Sequence, residues 1–418
     1  QIRGGTGLFT GTPPYVWISN QAGNNGVLFG DLNVRAVKDK NDNIISDGRP
    51  SLGFTGNMDT YKPAEGSATR SDIAITDPDF KYPSLWKSNI AADYKFGDGW
   101  VATVELLYSK DINAIYHDNI GLYRTEQFVN DGGAGNARPY YNGYYSDREG
   151  NQKAANHVVM LRNTSKGHSL YTTFQLQKNF VDGILKGLYL NGSYSFGQSR
   201  GVTDGTSSVA TSAWKYRAAL DGNAEEVGYT AGSFDGRLLL SASYTANWSK
   251  YAATSFGLIY QRYRPFRYSY CYNGDANGDS QFSNDLMYIP ANFDEVKDHL
   301  LPGDFDSQED AWKAMNAFIE QDPYLSKHRG EYAERNGAVA PFANQLDLSV
   351  SHDIKIYQKN GRSHTLRFSF NIANFLNLLN RNWGVVQTTV LGNQQYQFLT
   401  IPKGQGPSAA NNYTLKYT

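Results

Sequence analysis

Trp100-Val101-Ala102-Thr103-Val104-Glu105-Leu106-Leu107-Tyr108-Ser109 decides the fold. Its even positions carry Trp, Ala, Val, Leu and Tyr, while Thr103, Glu105 and Ser109 stand among the odd ones. Successive side chains point to opposite sides of a strand, so this segment has one apolar face and one largely polar face. The same period of two returns in Ile90, Ala92, Tyr94 and Phe96, in Leu170, Phe174, Leu176 and Phe180, and in Leu188, Leu190, Tyr194 and Phe196. It continues in Leu238, Leu240, Ala242, Tyr244, Ala246 and Trp248, in Phe256, Leu258 and Tyr260, in Leu346, Leu348 and Val350, and in Leu366, Phe368, Phe370 and Ile372. Composition agrees: 30 Tyr and 41 Gly suit strands and turns, whereas only 4 Met are present.

Alternation alone fits both a soluble two-sheet sandwich and a membrane barrel. Link lengths separate them. Short links at 97–99, 181–187, 249–250 and 358–363 alternate with links of tens of residues, as in outer-membrane barrels with tight periplasmic turns and long extracellular loops. Aromatics flank the short turns: Phe96 and Trp100, then Phe180, then Trp248 and Tyr251, the arrangement of an interfacial girdle. The expected strands are 1–11, 88–96, 100–110, 168–180, 186–198, 235–248, 251–264, 344–356, 364–374 and 411–418. With periplasmic short turns, ten such strands put both ends of the chain on the periplasmic side.

Other classes fall away. A chain of 418 residues would ordinarily suggest two or three soluble domains, but no segment here reads as a separate one. No apolar run approaches the roughly 18 residues of a membrane-crossing helix. The balance of 39 basic and 40 acidic residues leaves no field to attract nucleic acid. A single cysteine, Cys271, makes no internal disulfide or multi-cysteine metal site. Residues 1–5 lack the basic and apolar regions of a signal peptide and read as the middle of a strand.

The longest link, 265–343, contains a helix signature. Ser307 and Asp310 form an N-cap pair, Trp312, Met315, Phe318 and Ile319 follow at helical spacing, and Asp322-Pro323 ends the run. The apolar stripe is expected to pack on the barrel rim; a partner-binding helix is the alternative. Earlier in this link, Asp275, Asn277 and Asp279 occupy positions 1, 3 and 5 of an EF-hand-like loop, with Asn284 and Asp285 behind them. Calcium prefers such hard oxygens, so Asp275, Asn277, Asp279 and Asp285 are candidate ligands. Two departures count against this: Ser280 replaces the usual glycine at position 6, and Leu286 replaces the bidentate glutamate at position 12. The competing account is a solvated loop in which Asn and Asp make local turns.

Tyr140, Tyr141, Tyr144 and Tyr145 in one link, and Arg262, Tyr263, Arg264, Phe266, Arg267 and Tyr268 at a strand end, combine flat rings with fixed donors. Tyr140, Tyr141, Tyr144, Arg264 and Tyr268 are therefore candidate contacts for a sugar or peptide, although an aromatic girdle with snorkelling arginines is preferred. No catalytic residues are expected. Gly197-Gln198-Ser199-Arg200-Gly201 matches a hydrolase elbow in letters but sits at a strand end without a following helix. The seven histidines contain no closely spaced zinc pair. The glycines at 5 and 7 lack the third glycine and the helix of a dinucleotide fingerprint.

Near the end of the chain, Asn371-Ile372-Ala373-Asn374-Phe375-Leu376-Asn377 closes an ascending strand, a loop follows, and Tyr413-Thr414-Leu415-Lys416-Tyr417 would descend. This resembles the end of TonB-dependent outer-membrane transporters. The stretches Gly4-Gly5-Thr6-Gly7-Leu8-Phe9-Thr10-Gly11, Asn273-Gly274-Asp275-Ala276-Asn277-Gly278-Asp279, Asn284-Asp285-Leu286-Met287-Tyr288-Ile289-Pro290 and Leu376-Asn377-Leu378-Leu379-Asn380 are similar to the Oar-like branch of that family.

The resemblance implies an all-β, transmembrane antiparallel barrel of 22 strands, of which 1–418 would be the C-terminal part, about the last ten strands. It implies an N-terminal plug lying outside this chain, outer-membrane lipid and the TonB complex as partners, and import of a bound peptide, glycan or chelate. Its last strand ordinarily ends in an aromatic residue, one position beyond Thr418 in this register. The expected function is thus a carrier in the outer membrane of a Gram-negative bacterium. A self-contained ten-stranded barrel acting as an adhesin or surface hydrolase is the competing class.

Overall fold

A computed structural model of the chain describes residues 1–23, 25, 37–38, 44–46, 56–57, 59, 71–129, 131, 138–144, 155–205, 207–357, 362–388, 395–402, 406–407 and 414–417. The molecule is mostly antiparallel sheet, and no described helix is long and apolar enough to cross a membrane.

Among the described residues, nine long strands form the main sheet in sequence order: β1 (Ile2–Thr10), β2 (Ser84–Phe96), β3 (Trp100–Asp111), β4 (His168–Asn179), β5 (Leu188–Gly201), β6 (Arg237–Asn247), β7 (Ala252–Tyr263), β8 (Ala343–Tyr357) and β9 (Ser363–Ile372). Every neighbouring pair is antiparallel. Gly228–Tyr229 adds a short pairing at the end of β5. Among the described residues no further strand pairs with the outer edge of β1 or β9.

The first short turn shows how local sequence sets register. Phe96 pairs with Trp100 across Gly97-Asp98-Gly99, and both glycines take positive φ, 52° and 85°, which L side chains disfavour. The ring of Phe96 stacks between those of Tyr94 and Trp100, at 5.9 and 6.4 Å.

The two faces of this sheet differ in kind. On one, large apolar side chains stand bare: Tyr94 is 70 % exposed, Phe174 47 % and Phe370 63 %. On the other, polar side chains bond across the strands. Thr103 Oγ1 donates to Asp93 (2.7 Å), Ser109 pairs with Ser169 (2.6 Å), Thr173 with Ser195 (2.9 Å), and Gln175 Nε2 donates to Asn191 (2.7 Å). Arg367 makes a two-pronged ion pair with Asp353 at 2.6 and 2.7 Å. Glu105, Asp347 and Arg367 all share this polar side by alternation; Phe9, Leu85, Val101, Leu107, Leu239 and Ile259 are among the apolar exceptions on it.

The long links leave the sheet at the end opposite the short turns, and there their described parts fold together into a crown with cores of its own. One core gathers Val129, Tyr140, Tyr270, Tyr272, Met287, Leu300, Met315, Ile319, Phe398 and Leu415 from widely separated links. A second joins Ala74, Leu122, Tyr141, Val159 and Trp214. The expected helix is Gln308–Gln321, capped by Ser307, whose Oγ accepts from Asp310 N at 3.1 Å. Its buried stripe, Ala311, Met315 and Ile319, enters the first core instead of lying on the rim of the sheet.

The tenth strand expected over 411–418 requires correction. Leu415–Tyr417 runs parallel to Leu300–Leu301 and antiparallel to Leu399–Thr400, inside the crown. Leu415 is buried there, and Tyr417 packs against Phe305 and Phe398. Alternating Leu and Tyr serve an aromatic core as well as a lipid-facing strand, which is why the pattern misled.

Candidate functional site

The acidic loop after Asn273 lies within the crown, and its shape follows from side chains capping backbone amides. Asp275 Oδ1 accepts from Asn277 N (3.2 Å) and Gly278 N (2.6 Å), and its Oδ2 accepts from Ser280 N (2.8 Å). Asn277 Oδ1 accepts from Asp279 N at 2.9 Å, and Asp279 Oδ1 from Gln281 N at 2.8 Å. Asp285 Oδ2 reaches back to accept from Ala276 N at 2.8 Å. Each acidic residue thus sets the next turn, as Asp and Asn readily do. Ser280, which stands where an EF-hand has glycine, itself takes the left-handed conformation at φ 67°. Gly278 is also left-handed, at φ 80°, and a Cβ there would run into the Tyr141 carbonyl. Leu286 is wholly buried and supplies no oxygen side chain, so position 12 stays a departure.

The electrostatics are unbalanced. Asp279 is 0 % exposed, its Oδ2 is contacted by Asn277 Nδ2 at 3.3 Å, and no cation ion-pairs with it among the described residues. Burial, with Asp285 and Asp275 nearby, raises its pKa well above the carboxylate range. Burial likewise pushes Asp285 up to about 7 against the opposing pull of Arg138, and raises Asp275 against its amide hydrogen bonds. Asn284 is buried, and its Oδ1 has no hydrogen-bond partner among the described residues. Among the described residues, no group of three His, Cys, Asp or Glu converges tightly enough to close a metal shell as it stands.

One residue that sequence reasoning passed over holds this region together. The guanidinium of Arg138, 0 % exposed, donates to Asp131 (3.0 Å), to Asp285 (3.2 Å) and to the Leu286 carbonyl, and lies 5.5 Å from the rings of both Tyr272 and Tyr332. Tyr332 Oη closes the set by donating to Asp131. Asp285 is 147 positions away in sequence, so no local pattern marks Arg138.

Among the candidate solute contacts whose side chains are described, two are buried in the crown and two are half-buried. Tyr140 belongs to the first core and is buried; Tyr141 is buried too, its hydroxyl donating to Asp221 at 2.6 Å. Tyr144 ends the strand Arg138–Tyr144, in register with Leu122, and Tyr145 lies outside the described residues. Arg264 stacks over Phe342 at 4.2 Å and donates to the Ala340 carbonyl at 2.8 Å. Tyr268 is half-buried, edge-on to Tyr270. Arg267 is buried, bonded to Asp235 and set over Tyr229 at 4.1 Å, so this arginine and its ring are a structural clamp. As for the elbow-like 197–201, all five residues lie in β5 and no helix follows directly.

The chain matches no family model, no curated protein and no solved structure.

Proposed function

We propose that this chain supplies the C-terminal part of the barrel of a TonB-dependent outer-membrane transporter, importing a bound peptide, glycan or chelate. The observation that carries the proposal is the two-faced sheet. Contiguous apolar area of this extent left bare is a liability in water and the normal surface of a strand facing lipid. The opposite face, bonded through serines, threonines, glutamines and an Arg–Asp pair, suits a wet lumen or a plug. In this reading β1 and β9 continue into further strands, a plug outside this chain engages the TonB complex, and the crown meets the solute. The protein does no covalent chemistry on its cargo. The test is the complete gene product: it should fractionate with the outer membrane, carry a plug, and lose solute uptake when TonB is deleted. A complete product without a plug would remove the proposal in favour of a self-contained barrel.

The acidic loop enters this proposal as a calcium site that stiffens the crown. What supports it is Asp279, a buried carboxylate that no cation pairs among the described residues, beside two more carboxylates and an Asn284 oxygen that no described residue bonds. Asp275, Asn277, Asp279 and Asp285 would hold the ion. Its binding must expel protons, so the pH dependence has a definite sign. A carboxyl whose folded pKa is raised favours the folded state below its unfolded pKa of about 3.9 and loses that contribution as pH rises toward about 7. Stabilisation by calcium should therefore be larger at pH 8 than at pH 5.5. Titration calorimetry of the folded protein with calcium chloride checks this, with Asp279→Ala expected to abolish the heat; no heat above the dilution blank at pH 8 rules the ion out.

A further inference from the structure

The bare apolar face is not uniform. Gly192 in β5 sits in register between Leu176 of β4 and Leu240 of β6, and Leu190 on the same face pairs with Ala242. The small residues at 192 and 242 sink the surface, while Leu176, Leu190, Leu240, Leu258 and Leu346 stand around it, leaving a groove of about 410 Å³. That volume lies within the roughly 300–1,000 Å³ of small-molecule sites. Trp100 closes the groove toward the short turns.

At that end lies an ammonium. Lys178 Nζ is 5.2 Å from the centre of the Trp100 ring and 4.5 Å from that of Phe180. Lys178 pairs in register with Trp100 and with Leu190, both of which line the groove, and alternation places it on the same face as Leu176, roughly 7 Å along the strand. No acidic residue forms an ion pair with it among the described residues. Held over two rings beside the turns, this cation has the place of an interfacial lysine reaching for a headgroup.

A hydrocarbon groove that ends in a cation on the same face matches an anionic amphiphile, and a phosphate joined to an acyl chain is the one that a bilayer supplies. We infer that the groove seats one acyl chain of an anionic phospholipid whose phosphate is held by Lys178 Nζ. The site is distinct from the general lipid coat because the floor is made by Gly192, where a larger side chain would fill the space. A protein partner could also press a side chain into the groove, but charge complementarity at Lys178 favours the phosphate. The inference rests on the membrane reading above.

The test uses the full-length protein extracted in detergent and titrated with phosphatidylglycerol or phosphatidylcholine, bound lipids being counted by native mass spectrometry. One phosphatidylglycerol should be retained in preference to phosphatidylcholine. Lys178→Gln should weaken that retention about tenfold, the loss of one charge-assisted phosphate contact, and Lys178→Arg should restore it. Gly192→Leu should abolish it by filling the groove; Lys178→Gln, a change at the surface, keeps the test decisive if that variant does not fold. Equal retention by wild type and Lys178→Gln, or a co-purifying protein released by Gly192→Leu, overturns the inference. Recovery of the protein in the soluble fraction without detergent would defeat the membrane reading itself, whereas membrane partitioning without lipid preference defeats only the lipid site.

Discussion

Arg138→Ala is expected to destabilise the crown by about 3–5 kcal/mol, because it leaves two buried carboxylates without their cation. Asp131 and Asp285 are both almost fully buried, and each takes a guanidinium nitrogen of Arg138 within 3.2 Å. Truncation also leaves the Leu286 carbonyl without this donor and opens a void between Tyr272 and Tyr332. Lysine cannot replace the fork, so Arg138→Lys should fall between wild type and alanine. The loss should shrink at acid pH. Asp285 already titrates near 7 through burial, and once Arg138 no longer holds it down it protonates more readily, removing part of the uncompensated charge. For the same reason Asp285→Asn should partly rescue Arg138→Ala. Hydrogen exchange of the amides around Tyr272, Met287 and Ala333, measured at pH 8 and pH 5.5, reports this region directly. A cost under about 1 kcal/mol at pH 8 would mean that the carboxylates find other partners and that Arg138 is not the pivot.

What the sequence revealed, and what it hid, follows the range of the interactions. The long strands were legible because alternation is local and one-residue slips exchange the faces. The turn at Gly97-Asp98-Gly99 was legible because glycine supplies its positive φ, and the helix after Ser307 because its cap bond spans three residues. The turns of the acidic loop are likewise written two to five residues apart. The crown was not legible. Arg138 meets Asp285 across 147 positions, and Tyr141 meets Asp221 across 80, so nothing near either residue in sequence announces its partner. A run of tyrosines has the same composition in a girdle, a solute platform and a core. Only the packing of several links together assigns Tyr140 and Tyr141 to the last. Leu415 and Tyr417 mislead in the same way, since the second layer that covers them comes from Leu300 and Phe305, more than a hundred residues earlier.

Phe174→Arg and Gln175→Arg, adjacent changes near the middle of β4, should differ by about 2–4 kcal/mol when each is measured against alanine at its own site. The two residues share a strand and the same neighbouring strands, so backbone propensity and register nearly cancel and the face remains. Phe174 lies in register between Val104 and Tyr194 and stacks 6.2 Å from Phe196, on the apolar side. Gln175 points the other way and donates to Asn191 at 2.7 Å. If hydrocarbon covers the first face, an arginine at mid-depth must carry its charge toward a headgroup and drag water with it. On the second face, the guanidinium stays wet and costs within about 1 kcal/mol. In water both arginines would be solvated, since Phe174 is already about half exposed, and the difference would vanish. Reversible urea unfolding of the full-length protein in phospholipid vesicles gives both values. Two equally small costs would take lipid away from the apolar face, and two equally large ones would mean that protein covers both sides. Only a large cost on the Phe174 side alone agrees with a sheet whose bare surface is its membrane surface.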